Sequence, residues 1–140
     1  MLYGARECAR IFVKEGRTAI FKRHADASRA VVAGLQGMGL KVFGDIANKM
    51  PNVTGAYIPA GVNGDRARNA LLNDFNIEIG TSFGQLHGKI WRIGAMGYNA
   101  RQDCVLGTLA ALEVVLAAEG HQFTRGAGVD AAYQIYREAA

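Results

Sequence analysis

Arg92 is the residue whose type and surroundings carry the clearest chemistry in this chain. It lies in Gly88–Arg101, GKIWRIGAMGYNAR, where a short strand signal, Lys89–Ile93, runs into a turn punctuated by Gly94 and Gly97. Side chains alternate faces along a strand, so Trp91 and Ile93 are expected to face a core while Ile90 and Arg92 point the other way. That puts one guanidinium on stiff backbone beside a loop able to approach a ligand. A planar guanidinium grips a carboxylate or phosphate through two parallel hydrogen bonds. A contact of this kind is worth about 1.5–3 kcal/mol, enough to orient a small acid but not to bind it tightly. The same spacing also describes a solvent-facing arginine paired with a surface acid, and the pattern alone leaves both readings open.

The other reactive side chains argue mostly by exclusion. The glycine-bearing turns around Thr81-Ser82 and Gly94–Gly97 offer backbone donors, but neither has the phosphate-cradling pattern of a P-loop or dinucleotide fold. No Ser-His-Asp or Cys-His arrangement emerges, and no catalytic residue is assigned. His24, His87 and His121 are far apart and lack metalloprotease-like spacing, so no metal is expected. Cys8 and Cys104 fall in helical patterns and read as buried thiols rather than a disulfide. Lys14, Lys22, Lys41, Lys49 and Lys89 fall on polar faces or strand edges. None reads as the desolvated, depressed-pKa amine that Schiff-base chemistry requires.

The elements that must hold Arg92 alternate between helices and short strands. A first helix is predicted over Gly4–Glu15, with Ala5, Cys8, Ile11 and Phe12 as its apolar stripe and Gly16 at its C-terminal end. A second runs from about Thr18 to Gly37, with Ile20, His24, Ala27, Val31 and Leu35 on one face, His24 among them as a packed histidine. Lys22, Arg23, Asp26 and Arg29 take the wet side. Strands are predicted at Leu40–Gly44, Val53–Pro59 and Ile77–Ile79, the last ending in the turn Gly80-Thr81-Ser82. Between them a third helix begins near Asn63 or Asp65 as cap, with Ala67, Ala70, Leu71 and Phe75 inward. Asn99 is expected to cap a fourth helix with Gln102 completing a capping box. Val105, Leu109, Leu112 and Leu116 form its stripe. A linker, Gly120–Gly128, leads to a last helix, Val129–Ala139, carrying Val129, Ala132, Tyr133 and Tyr136. This order implies an α+β fold: a small mixed or largely antiparallel sheet with helices packed on one face.

The chain has 140 residues, 50% of them hydrophobic and 20% charged, which suits one domain with a real core. No apolar run reaches the length of a bilayer crossing, and Met1–Arg6 is not a signal peptide, so a cytoplasmic protein without a membrane partner is expected. The net charge of +4 is scattered among acids rather than gathered in a stripe. A nucleic-acid partner is therefore not expected.

Five blocks, LYGARECAR (Leu2–Arg10), VFGD (Val42–Asp45), NVTG…IPAGVNGD (Asn52–Asp65), FNIEIGTSFG (Phe75–Gly84) and GKIWRIGAMGYNAR, together carry a family resemblance. In order and with matching gaps they resemble the C-terminal small domain of class V aminotransferases of pyridoxal-phosphate fold type I. Alanine–glyoxylate and serine–pyruvate aminotransferases are similar, and IEIGTSFG followed by WRIG-x-MGYNAR looks most like the (S)-ureidoglycine–glyoxylate enzymes of purine catabolism. The resemblance implies that Arg92 receives the α-carboxylate of an amino-acid or oxo-acid substrate. It implies that Thr81 or Ser82 borders the active-site mouth as a substrate contact, and that Asn99 and Arg101 support the arginine. It also implies pyridoxal phosphate as the cofactor of the parent family, held by a large domain whose positions would precede Met1. On that expectation residues 1–140 form a single small domain that, alone, binds no cofactor and is inactive. The alternative expectation is a stand-alone binding or association module derived from that domain. A homo-oligomer is expected, and in that second reading the N-terminal helix is its sticky face.

Overall fold

The computed structural model describes residues 2–139. Helices α1 (Leu2–Glu15), α2 (Arg17–Gly37), α3 (Gly64–Phe75), α4 (Gln102–Ala118) and α5 (Ala127–Ala139) accompany strands β1 (Val53–Tyr57), β2 (Gly80–Thr81) and β3 (Ile90–Gly94). The sheet is antiparallel in the order β1-β3-β2, so β3 is its central strand. Trp91 and Ile93 turn inward from β3 to meet Leu35, Leu71, Leu109, Leu112 and Leu116, all essentially removed from solvent. The α+β arrangement expected from the order of elements is present.

Local sequence explains most boundaries. Asn63 caps α3 by accepting the Arg66 amide at 2.9 Å, and Asn76 ends it in the left-handed conformation at φ 55°. Both are roles that a short amide side chain fills well. Gly16, at φ 84°, is the single residue between α1 and α2. A side chain there would be strained.

Two predicted strands differ. Leu40–Gly44 forms a bridge, Val42 to Ala56, rather than a strand. Its hydrogen bonds are Phe43 N–H to Gly55 O, 2.8 Å, and Tyr57 N–H to Lys41 O, 2.9 Å. Pairing near residues 77–81 falls on Gly80–Thr81, not Ile77–Ile79. The backbone of the predicted stretch is used elsewhere: Ile77 N–H bonds Leu71 O at 3.0 Å and Ile79 O accepts from Arg68 at 2.9 Å. Asn99 does not cap α4; it closes a 3₁₀ turn, Gly97–Asn99, and Arg101 occupies the N-cap without a side-chain bond.

Several side chains sit where periodicity did not put them. No residue of α1 is buried, and its stripe is half-open, Ile11 at 49% and Phe12 at 47% exposure. Cys8 is exposed and Cys104 half-buried, both free thiols. Phe75 and Tyr133 are exposed rather than packed. Asp26 is buried, not wet, bridged by Lys22 at 3.0 Å and Arg29 at 2.6 Å. Burial pushes its carboxyl up, but the hydrogen bonds from Arg29 and Lys22 outweigh it and leave the group below its ordinary value. The Tyr136 hydroxyl is buried without a partner among the described residues, and desolvation pushes the phenol up to about 12.

α2 and α5 make the closest helix pair, and glycines allow it. A Cβ on Gly37 would stand 2.6 Å from Ala127 O, and one on Gly128 would stand 2.8 Å from Gly34 O. The buried Glu113 carboxylate of α4 accepts the Gly126, Gly128 and Val129 amides at 2.7, 2.8 and 3.2 Å. It thus satisfies the orphan donors at the start of α5.

Candidate functional site

The sheet register builds the surroundings of Arg92. As a residue of the central strand it has cross-strand neighbours on both sides, Gly55 on β1 and Gly80 on β2. Neither carries a side chain, so the arginine can lie across the sheet instead of standing off it. A Cβ on Gly80 would be 3.5 Å from Arg92 Nη2, while the space over Gly55 is taken by Phe43. Arg92 Nε donates to Thr81 O at 2.7 Å, and the guanidinium carbon lies 4.7 Å from the centre of the Phe83 ring. One hydrogen bond and one aromatic face thus hold the side chain without occupying its outer edge. Among the described residues no carboxylate pairs with Arg92, and its two terminal nitrogens make no hydrogen bond. The surface ion pair that the sequence left open is not formed.

Arg92 borders a groove of about 560 Å³ whose walls include Phe43, Val53, Leu86 and Ile90. Ile90 does share the arginine's face, as strand alternation requires, but it is buried at 4% exposure. The segments carrying Phe43 and Leu86 roof it over, which strand periodicity could not foretell.

Ser82 and Thr81 separate. Ser82 lines the groove, yet it is buried and its hydroxyl donates to Leu86 O within the following turn. Thr81 serves Arg92 through its carbonyl, while its side chain shares the opposite face with Trp91 and looks toward Asn63 and Arg68. Arg101 is engaged by Asp103 at 2.5 Å and by the Tyr98 ring, and Asn99 borders a different cavity. No hydrogen bond joins either of them to Arg92. That other cavity, about 330 Å³ beside α4, carries Glu78 and Asp103 with no basic residue on its walls. It suits an acid ligand poorly.

Lys49 is the groove residue that sequence reasoning passed over. Its Nζ donates to Ser28 Oγ at 2.6 Å and to Met50 O at 3.0 Å, and burial lowers its pKa from the ordinary value. Lys49 is therefore half-buried rather than set on an open polar face as expected. Pro51 and the loop before it fold Lys49 back over α2, a long-range placement that a short window of sequence does not encode. The carboxylate at the same rim, Asp45, faces its own turn: it accepts Ala47 N–H at 2.9 Å and Asn48 Nδ2 at 2.7 Å.

His24 is half-buried, with Nδ1 on Ile20 O at 2.7 Å and Nε2 accepting Gly97 N–H at 3.0 Å. It ties α2 to the turn after β3, as a packed histidine does. Among the described residues no group of three or more His, Cys, Asp or Glu is placed to hold a metal ion.

No protein-family model matches the chain. It is 46% identical over 139 residues, 99% of its length, to the (S)-ureidoglycine–glyoxylate transaminase of Bacillus subtilis, and covers 33% of that protein. It is 33% identical over 82% of its length to the alanine–glyoxylate aminotransferase of Felis catus, covering 28% of it. Among solved structures, the ureidoglycine–glyoxylate aminotransferase of Bacillus subtilis superposes with a TM-score of 0.93 over 97% of this chain and 35% of that one. The pyridoxamine–pyruvate aminotransferase of Mesorhizobium loti gives 0.88 at 30% identity, over 94% and 34%. The chain therefore spans about a third of the length of the relatives it matches.

Proposed function

We propose that this chain, which is similar to aminotransferases over about a third of their length, is the small C-terminal domain of a class V, pyridoxal-phosphate-dependent member. In this reading Arg92 receives the α-carboxylate of a small amino acid or oxo acid. The observation that carries it is the unpaired outer edge of the Arg92 guanidinium, lying over Gly80 and braced by Thr81 O and Phe83. Relatives named for glyoxylate favour that oxo acid as amino acceptor, with purine breakdown as the setting.

Arg92 neutralises the acid and fixes its plane through two parallel hydrogen bonds. The Nε bond to Thr81 O keeps the fork from swinging, so little side-chain freedom is lost on binding. The Phe83 ring, 75% exposed, covers one face of the guanidinium and leaves its edge open. Thr81 and Ser82 act in this reading by shaping the turn rather than by touching the acid with their hydroxyls. In aminotransferases pyridoxal phosphate supplies the electron sink for moving the amino group. The residues of this groove do not fit that cofactor: the Asp45 carboxylate faces its own turn and Phe83 is stacked on Arg92. No step through it is assigned to these residues, and the 140-residue chain by itself is expected to bind acids without transferring amino groups.

The test is a titration of the chain with glyoxylate, pyruvate and alanine followed by nuclear magnetic resonance. Arg92→Ala should weaken oxo-acid binding about tenfold to a hundredfold, the equivalent of about 1.5–3 kcal/mol. Unchanged affinity in that variant overturns the reading. Incubation with pyridoxal phosphate and an amino donor, followed by borohydride, should leave no pyridoxyl-lysine.

A second reading, association, is favoured by α1. Ile11, Phe12, Val13 and Phe21 are 49%, 47%, 79% and 61% exposed, and Cys8, Ile11 and Phe12 edge an apolar groove of about 600 Å³ against α2. Apolar surface of this kind marks a contact face, here for a homo-oligomer. No helix among the described residues is long and apolar enough to cross a membrane; the reading retains a cytoplasmic protein without a nucleic-acid partner.

A further inference from the structure

Lys49 and Arg92 are the two basic residues of one groove, and each has bonding capacity left over. An ammonium carries three N–H donors; Lys49 uses one on the hydroxyl of Ser28, itself 7% exposed, and one on Met50 O. Among the described residues it has no carboxylate partner. Lys49 is half-buried, and holding a charge partly out of water with neither counter-ion nor full hydrogen bonding carries a cost. The lowering of its pKa by burial reflects that cost. Arg92 leaves both terminal nitrogens open on the same groove, whose one carboxylate, Asp45, is occupied by Ala47 and Asn48. Between the cations the wall is apolar: Phe43, Val53, Leu86 and Ile90. Two like charges on one concave surface repel until an anion lies between them.

We propose that the groove is a two-point site for short dicarboxylates, with Arg92 holding one carboxylate and Lys49 the other, so that Lys49 sets preference for acids bearing a second negative end. This rests on the reading of Arg92 as a carboxylate site. The apolar wall suits a short methylene chain between the two ends, whereas inorganic phosphate would leave that wall uncovered. Ser28 and Met50 O hold Lys49 in place so that its third donor remains for the ligand.

The experiment compares succinate with butyrate, and glutarate with valerate, on the 140-residue chain by calorimetry and nuclear magnetic resonance. Wild type should favour each dicarboxylate over its monoacid by about tenfold, the order of one charge-assisted contact. Lys49→Met should abolish that preference by weakening dicarboxylates far more than monoacids, and Lys49→Arg should restore part of it. Arg92→Ala should weaken both classes. An unchanged preference in Lys49→Met, with Arg92→Ala still harmful, overturns this inference alone. Monoacids indifferent to Arg92→Ala overturn the underlying reading instead. To guard against a folding defect in the variant, wild-type lysines carrying ¹³C-methyl labels should show the Lys49 signal moving with succinate and not with butyrate. No movement counts against the site. The preference should also fade at alkaline pH, where Lys49 discharges while Arg92 stays charged.

Discussion

At the scale of single residues, Arg92 depends on what its neighbours lack. Gly80 stands opposite it, and a β-branched side chain there would occupy the guanidinium's resting place, 3.5 Å away at its first carbon. Gly80→Val is therefore expected to lower oxo-acid affinity by at least half the effect of Arg92→Ala, with an intact circular-dichroism spectrum; titration of the variant checks it. Tyr136 gives a prediction of the opposite sign. Its hydroxyl is buried without a partner among the described residues, and desolvation pushes the phenol up to about 12. Removing an unsatisfied buried polar group relieves its desolvation cost, so Tyr136→Phe should stabilise the chain by about 1 kcal/mol in denaturant melts. Asp26 governs acid behaviour. Its carboxyl sits below the ordinary 3.8, so its stabilisation is complete above that pH and is lost as pH falls through the lower folded value. Asp26→Asn should flatten that part of the stability profile, read from thermal melts between pH 5 and pH 2 (a range chosen to bracket carboxylate titration).

At the scale of elements, α5 is held by α4 and α2 in different ways. Glu113 reaches from α4 to three amides at the start of α5. Replacing it with alanine leaves those donors buried without an acceptor, at a cost of about 2–3 kcal/mol. Glu113→Gln keeps one acceptor and should lose less. Gly128 lets α5 approach α2, and a methyl group there would meet Gly34 O and Met38 Cγ, each at 2.8 Å. Gly128→Ala should cost about 1–3 kcal/mol by overpacking. Hydrogen exchange provides the check: amides of α5 should lose protection before those of α4. Neither device was foreseen from sequence. Glu113 falls within an apolar helix pattern, and the approach of α2 to α5 joins glycines some ninety positions apart.

Across the whole molecule, α1 is the exception to an otherwise closed core. It meets α2 through the turn at Gly16 and through Glu15, whose carboxylate takes Arg23 at 2.6 and 2.9 Å. Its apolar stripe meets no core. Sedimentation at high concentration should therefore show a dimer or larger species, and Phe12→Asp should shift it toward monomer while leaving the thermal melt of the core unchanged. A strictly monomeric wild type would remove the association reading.

Periodicity alone determined five helices, the inward stripe of α4 and the turn at Gly16, because these follow from interactions within a few residues of one another. It also determined that Arg92 lies across a strand from Trp91, since alternation is a property of extended backbone itself. Tertiary structure decided the rest. The glycines on both sides of Arg92, the roof over Ile90 and the docking of half-buried Lys49 on Ser28 all come from sheet register and loop closure between distant segments. So did the displacement of the third strand onto Gly80–Thr81, where a backbone carbonyl chose Arg68 over a ladder. Local sequence sets which way a side chain points, but what it meets there depends on contacts whose energies appear only when the chain is closed.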